Sequence, residues 1–411
     1  MNRKYDNWLI FIVLTLIVYG LLMVFSASSG ADAHGNGAEF KYLFRQLAAL
    51  SVGLLLCVFG ALMTSNGWRS MHQYLYIACM IALIGCFIPG IGHVSHGAAR
   101  WIGFGSINFQ PSAFAKIAVL ISLATYLHKW RGQVHLLPVL LKSIYIPLGM
   151  LMLIIVEPDF GTSLVISALS FLMCVLGGMR LSHMLISMAT LGSLGMVVLF
   201  SAEYRMRRML TFWDPWSHRD ADGYQVVQSW VAMHNGGLTG VGMGNSIAKR
   251  QFLPEPWTDF IGSVIAEEIG FVGIAVLLTL FCGLLWRGIH IATRAKDSFS
   301  MLLASTLTIM IISEAVFNLG VIMGLLPPKG LVLPFISYGS SAMMANLFAI
   351  GILLGISAES KDVPLDKGWK VPVQDIPSVA NDLTIQELHD DFLGEEDPNM
   401  TEIVEKENQS A

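Results

Sequence analysis

The chain has 411 residues, of which 54% are hydrophobic and only 13% are charged. Because soluble domains carry roughly 25% charged residues, this composition excludes an ordinary soluble globular protein. The net charge of −4 hides two regions of opposite sign, since residues 361–411 are net −9 and residues 1–360 are net +5. Long apolar runs recur through the first 360 residues, so the sequence predicts an all-α polytopic membrane protein.

The apolar runs predict about ten membrane-spanning helices. The first run follows a basic start and could be a signal peptide, but it is longer than the usual apolar core of one, which favours an uncleaved helix. The predicted spans are residues 8–28, 45–64, 73–90, 112–128, 137–156, 160–178, 182–201, 259–286, 299–325 and 336–357.

Basic residues in the short loops predict the orientation. With the amino terminus in the cytoplasm, the inner segments hold nine lysines and arginines and the short outer loops hold four. Because cytoplasmic loops are enriched in Lys and Arg, this bias predicts an N-in chain, and an even number of spans places the carboxyl terminus inside as well.

Two segments of residues 1–411 depart from this pattern of spans and short loops. Residues 202–258 form a large outer loop between spans 7 and 8, and its tryptophans predict a folded segment against the membrane. Residues 361–411 are acidic and interrupted by prolines, which predicts a disordered cytoplasmic tail after a membrane domain of residues 1–360. Within the tail, Ile385, Leu388 and Phe392 have helical spacing, which suits either docking onto a partner or a solvated segment with chance periodicity.

Ionisable residues in or beside the predicted spans are costly, so each is a candidate for function. In the predicted topology most of them lie near the outer side, which indicates one polar cavity that opens outward. They are Arg100, Lys116, Glu157, Asp159, Asp259, Glu267, Glu268 and Glu314.

Asp259 follows two prolines, and Thr258 before it is a suitable N-cap, so a helix is predicted to begin beside Asp259. The carboxylate would then either complement the helix dipole or act as a general base on a substrate hydroxyl. A helix N-terminus lowers a carboxylate pKa, whereas desolvation or the nearby Glu267 would raise it, and the residues alone leave both interpretations open.

Basic residues near the predicted outer side would suit an anionic ligand, because guanidinium and ammonium groups bind phosphates. Simple anchoring in lipid headgroups is the competing interpretation for Arg205, Arg207 and Arg208. For Lys116, which lies within a predicted span, the competing interpretation is that its side chain only extends to the interface.

Short polar motifs occur in a fixed order through the apolar sequence. They are Arg100-Trp101-Ile102, Gln110-Pro111-Ser112 with Lys116, Pro158-Asp159-Phe160-Gly161-Thr162, Tyr224-Gln225, Gln228-Ser229, Gly242-Met243-Gly244-Asn245-Ser246, Leu253-Pro254-Glu255, Thr258-Asp259-Phe260, Glu267-Glu268-Ile269-Gly270, Asn318-Leu319-Gly320 and Leu333-Pro334-Phe335-Ile336-Ser337-Tyr338-Gly339. As an ordered set over residues 8–357, they resemble the SEDS family (shape, elongation, division and sporulation). Residues 205–216 and 326–331 resemble its cell-division branch, FtsW, more than its elongation branch, RodA.

The sequence departs from the family pattern at two places. The family usually has Glu after Gln-Pro-Ser, but Ala113 stands here, so any role of that carboxylate is absent or supplied elsewhere. The usual Gly-Gly-Ser-Ser after Ser-Tyr is replaced by residues 339–342, Gly-Ser-Ser-Ala. Neither departure affects Asp259.

The resemblance implies polymerisation of lipid II, an undecaprenyl-pyrophosphate-linked disaccharide pentapeptide, into glycan strands outside a bacterial cytoplasmic membrane during septal wall synthesis. Asp259 matches the family's catalytic aspartate, which would deprotonate the acceptor sugar 4-hydroxyl. That oxygen would attack the donor anomeric carbon and expel the lipid pyrophosphate with inversion. The predicted substrate-binding residues are Arg100 and Lys116 for the pyrophosphate, with Arg205, Arg207, Arg208, Glu267, Lys329 and Ser337 as further candidates.

The resemblance also implies partners. They are a class B penicillin-binding protein, which would cross-link the strands, and division-site activator proteins; no nucleic acid is implied. A divalent cation such as Mg²⁺ or Mn²⁺ could share the charge of the pyrophosphate. His93 and His96 have no carboxylates near them in the sequence, so no metal site is predicted from protein ligands.

Two other functions remain open from the sequence. A lipid II flippase predicts ionisable residues along a path between the two sides of the membrane. Clustering near the outer side disfavours that path, although Glu268 and Glu314 lie deeper. A non-catalytic division scaffold predicts that replacing Asp259 leaves function intact.

Overall fold

A computed structural model describes residues 4–29, 38–90, 92–95, 98–104, 107–200, 203–220, 223–327 and 330–360. The predicted tail at residues 361–411, the candidate Lys329 and His96 lie outside the described residues. Most of the described chain is helical, as the sequence predicts.

The helices follow one another along the chain, with longer connections after α3, α9 and α12. Their bounds are α1 Asn7–Ser28, α2 Ala38–Leu62, α3 Ser65–Gly85, α4 Pro111–Lys129, α5 Leu137–Val156, α6 Phe160–Leu176, α7 Leu181–Phe200, α8 Glu203–Trp213, α9 Tyr224–Gly236, α10 Ile261–Glu268, α11 Gly270–Thr293, α12 Ser298–Ile322 and α13 Ser340–Glu359. Between α9 and α10 lies a five-residue π-helical segment, Ala248–Phe252. The predicted outer loop therefore contains α8, α9 and this segment.

Seven described helices are long and apolar enough to cross a membrane: α1, α2, α4, α5, α11, α12 and α13. Two shorter apolar helices, α6 and the Leu181–Val197 part of α7, fall at predicted spans, and α3 falls at another. The chain is a multi-pass helical membrane protein. The count of ten spans and the N-in orientation stay predictions.

The helical fold class is as predicted, but the connection between α3 and α4 contains strands that the sequence does not predict. A three-stranded antiparallel sheet forms there, from β1 Gly92–Ser95, β2 Ala98–Phe104 and β3 Ile107–Phe109 in the order β1-β2-β3. Strands this short carry too little alternation to be recognised between apolar helices. The sheet matters because β2 carries Arg100.

The predicted span at residues 259–286 is wrong as a single helix, because two helices, α10 and α11, occupy these residues. α10 ends at Glu268 and α11 begins at Gly270, whose φ is +76°. A β-carbon at Gly270 would lie 2.4 Å from the backbone nitrogen of Gly240, closer than real contacts allow. The interruption between α10 and α11 therefore requires glycine at position 270.

Replacing Gly270 with Ala is expected to destabilise the protein by more than about 2 kcal/mol, from the left-handed backbone and the clash together. The measurement is the thermal unfolding midpoint in detergent. Gly192→Ala in α7 is the matched control, since nothing lies within 4 Å of its β-carbon position and alanine favours a helix. An equal midpoint for Gly270→Ala and wild type would contradict this account of the helix break.

Three helices, α4, α12 and α13, are mostly buried within the bundle. Small residues bring α13 against α2: a β-carbon at Gly351 would lie 2.2 Å from the carbonyl oxygen of Cys57. The N-terminus of α4 is fixed to α13, because the Gln110 backbone N–H donates to Ser341 Oγ at 2.9 Å. These three buried helices contribute residues to the wall of the cavity described below.

Candidate functional site

A cavity of about 730 Å³ lies among α2, β2, α4, α6, α12, the segment before α10 and residues 330–344. It brings together three predicted site residues, Arg100, Lys116 and Asp259. Four more charged residues also line it: Arg45, Asp159, Glu255 and Glu314.

The sequence predicts Asp259 on the first turn of a helix. In the structure it lies in a turn two residues before α10. Thr258 does not cap the helix; its hydroxyl donates instead to the Glu255 carbonyl oxygen at 2.9 Å. The Asn318 side-chain amide fixes the turn by donating to the carbonyl oxygens of Asp259 at 2.8 Å and Leu331 at 2.5 Å. The local backbone is therefore held while the Asp259 carboxylate lines the cavity.

The Asp259 carboxylate has no hydrogen-bond or ion-pair partner among the residues that the structure describes. Burial raises the pKa of Asp259 to about 6, and the negative charge of Glu255 adds to the rise. Desolvation therefore raises the Asp259 pKa more than the neighbouring charge does. The neighbouring carboxylate is Glu255, whereas the sequence suggests Glu267. A base with a pKa near the working pH is well matched to proton transfer.

Arg100 is placed by two backbone acceptors after α5. Its Nε donates to the Glu157 carbonyl oxygen at 3.1 Å, and its Nη2 donates to the Pro158 carbonyl oxygen at 2.6 Å. A guanidinium has five N–H donors, so three remain for a ligand in the cavity. Arg100 is therefore a fixed, charged donor on the cavity wall.

Lys116 lies on α4 and donates to the Glu314 carboxylate on α12, forming a mostly buried ion pair. Both residues line the cavity. Lys116 therefore points into the protein interior, which rules out the interpretation that its side chain only extends to the lipid interface.

The predicted binding residues Glu267 and Ser337 do not line the described cavity. Glu267 is fully buried, and its carboxylate accepts hydrogen bonds from Ser246 Oγ and from the Ala248 backbone N–H, the latter at 3.0 Å. Ser337 is also buried, and its Oγ accepts from the Leu333 backbone N–H at 2.8 Å. Glu267 therefore stabilises the backbone around residues 246–248, and Ser337 stabilises the turn at residues 333–337.

The arginines of residues 205–208 lie on α8. The Arg207 side chain is exposed and is not among the described residues that line the cavity. The roles of Arg205 and Arg208 stay predictions.

Sequence reasoning missed Arg45 and Glu255 as site residues, although signals for both were present. Arg45 is the one charged residue in the predicted span at residues 45–64, and a charge in a span is a functional candidate. Glu255 lies between two prolines, four residues before Asp259. The sequence analysis also gives no role to Lys249. It forms a buried ion pair with Glu268 at 2.7 Å, and neither residue belongs to the described cavity lining.

This fold and site define a multi-pass membrane protein with an acid–base cavity: a desolvated carboxylate together with fixed cationic donors. Residues 7–362 match the family described as "Cell cycle protein", which groups FtsW, RodA and SpoVE. The chain belongs to the FtsW/RodA/SpoVE family, and the resemblance seen in the sequence is confirmed.

Relatives match along nearly their whole length. The chain is 36% identical to a probable peptidoglycan glycosyltransferase FtsW of Geobacter metallireducens, covering 88% of this chain and 97% of that protein. It is also 36% identical to stage V sporulation protein E of Bacillus subtilis, covering 87% and 98%. Both division and sporulation proteins therefore lie at similar sequence distance.

Solved structures share the fold. One is a chain of a peptidoglycan synthase complex described as coordinating polymerization and crosslinking, with a TM-score of 0.72, 26% identity, and 87% and 99% of the two chains covered. Another is the rod shape determining protein RodA of Thermus thermophilus, with a TM-score of 0.63, 26% identity, and 87% and 98% covered.

Proposed function

We propose that this protein is a peptidoglycan glycosyltransferase that polymerises lipid II into glycan strands. The observation that carries the proposal is the Asp259 carboxylate, desolvated and without a cationic partner among the described residues, in the same cavity as Arg100 and Lys116. Glycosyl transfer to a hydroxyl needs a base for the acceptor and positive charge for the leaving group, and the cavity supplies both.

In the proposed reaction, Asp259 takes the proton from the acceptor sugar hydroxyl. The oxygen attacks the anomeric carbon of the donor, the bond to the lipid pyrophosphate breaks, and the pyrophosphate leaves with the electron pair. The donors of Arg100 and Lys116 stabilise the negative charge that develops on the pyrophosphate. A single displacement of this kind inverts the anomeric configuration.

The divalent cation stays a prediction. Within the described ranges no group of three or more His, Cys, Asp or Glu side chains could hold a metal ion. A cation bound with the substrate would therefore use pyrophosphate oxygens together with one or two cavity carboxylates, such as Asp159, which is a common arrangement for Mg²⁺.

The proposed setting is the bacterial cytoplasmic membrane, with the cavity facing the outer side. The excess of basic residues in the predicted inner loops supports this orientation. Assignment to cell division rests on the FtsW-like motifs and the curated FtsW relatives, and the similar match to a sporulation protein keeps the branches close.

A class B penicillin-binding protein is the proposed partner, with division-site activators beyond it. Support comes from the similar chain found in a solved peptidoglycan synthase complex. In such a pair, strand polymerisation would occur here and peptide cross-linking in the partner.

The test uses purified protein in proteoliposomes with labelled lipid II and a candidate penicillin-binding partner whose cross-linking site is blocked. We expect long labelled strands on a gel. Labelled lipid that crosses the bilayer without forming strands would instead support the flippase. The absence of both strands and lipid transport would support the scaffold.

The pH dependence of polymerisation should report Asp259. Since the carboxylate must be ionised to accept a proton, and its pKa lies near 6, the rate should fall below about pH 6 as the group becomes protonated. Glu255→Gln removes a charge that raises the Asp259 pKa, so its acidic limb should move to lower pH. An acidic limb at the same pH in both proteins would contradict this electrostatic coupling.

A further inference from the structure

Position 113, where the family resemblance implies glutamate, is Ala113 in this chain. Ala113 lies in the first turn of α4 and lines the cavity three residues before Lys116. Side chains three positions apart share a helix face, so a carboxylate at 113 would lie beside the Lys116 ammonium. In this chain position 113 offers Lys116 no counter-charge.

Glu314 offers that counter-charge from another helix. It lies on α12, 198 residues beyond Lys116, and its Oε1 accepts a hydrogen bond from Lys116 Nζ. The two side chains are only 13% and 4% exposed. The Asn346 side-chain amide on α13 donates to the other Glu314 oxygen at 3.4 Å, so α4, α12 and α13 meet at this pair.

A buried lysine without an opposite charge beside it would be costly, and Glu314 supplies that charge. The ion pair also holds a long, flexible side chain in one position. An ammonium has three N–H donors, and Glu314 uses one of them. Two donors therefore remain for an anion in the cavity.

We propose that Glu314 is a positioning residue, which balances the buried charge of Lys116 and fixes its ammonium at the cavity wall. It supplies the carboxylate that is absent at position 113. This inference rests on the proposed polymerase function, in which Lys116 contacts the lipid pyrophosphate and Glu314 itself touches no reacting atom.

The test moves the carboxylate between the two helices. Glu314→Gln keeps the side-chain shape and an acceptor for Asn346 but removes the charge, so kcat/KM for strand formation should fall by about tenfold or more. The double variant Ala113→Glu/Glu314→Gln returns a carboxylate to Lys116 from within α4, and it should recover most of the lost activity.

Asp6→Asn is the control, since it breaks another buried ion pair, Asp6–Arg287, outside the described cavity lining, and it should leave activity unchanged. Thermal unfolding checks each variant. If the single variant does not fold, the double variant decides alone: folded and active supports the proposal, folded and inactive overturns it.

The outcomes separate this proposal from the function on which it rests. An active wild type with an equally active Glu314→Gln overturns the positioning role alone. A loss that the double variant does not restore also overturns it, because Glu314 would then act through packing. A wild type that forms no strands overturns the proposed function and this inference together.

Discussion

Replacing Asp259 with Asn is expected to lower the rate of strand formation by roughly a hundredfold to ten-thousandfold, the usual contribution of a positioned general base. Asparagine keeps the shape of the side chain but cannot accept a proton at neutral pH. The measurement is the initial rate with labelled lipid II and the penicillin-binding partner. Asp220→Asn, an exposed position outside the described cavity lining, is the matched control and should retain full activity.

The same variant should not lose stability. The folded-state pKa of Asp259, about 6, is above the value near 3.9 expected for an unfolded chain. Ionisation therefore destabilises the fold at pH values above about 6, and this effect disappears below the unfolded-state pKa. At pH 8 the Asn variant should unfold at the same temperature as wild type or higher. A marked fall in both midpoint and activity would make Asp259 a structural residue.

Replacing Arg100 with Gln is expected to lower kcat by about a hundredfold, as loss of one oxyanion-stabilising donor does elsewhere. In the proposed reaction the Arg100 donors contact the leaving pyrophosphate, whose charge grows in the transition state, so kcat should fall more than KM rises. Arg100→Lys should also be impaired, since one ammonium cannot bond both the Glu157 and Pro158 carbonyl oxygens and the pyrophosphate in the same planar arrangement.

Steady-state kinetics with varied lipid II separate these effects. Equal kcat with a raised KM would show that Arg100 serves only ground-state binding, which contradicts its assignment to the leaving group. Arg131→Gln, a change in the α4–α5 connection outside the described cavity lining, is the control and should leave both constants unchanged.

The sequence predicts the membrane class, most helices and the three central site residues, because each leaves a local signal. Apolar runs mark the spans, and a charge within or beside an apolar run marks Arg100, Lys116 and Asp259. These signals depend only on residues near in sequence, so they can be recognised without knowledge of the tertiary contacts.

What the sequence could not predict depends on contacts between distant segments. The sequence makes Glu267 a candidate as an ionisable residue near the predicted outer side, yet its carboxylate bonds Ser246 and the Ala248 backbone. Glu314 was recognised as costly, but its pairing with Lys116 joins residues 198 positions apart. The break at Gly270 depends on the approach of the Gly240 backbone, which no local periodicity records.

The anomeric configuration of the newly formed glycosidic bond tests the central claim most directly. The measurement is NMR of the anomeric proton in strands made from isotope-labelled lipid II by the wild-type complex. A single displacement with Asp259 as base predicts the configuration opposite to that of the donor sugar in lipid II. The same configuration in donor and product would indicate two displacements through a glycosyl-enzyme, and it would contradict the role assigned to Asp259.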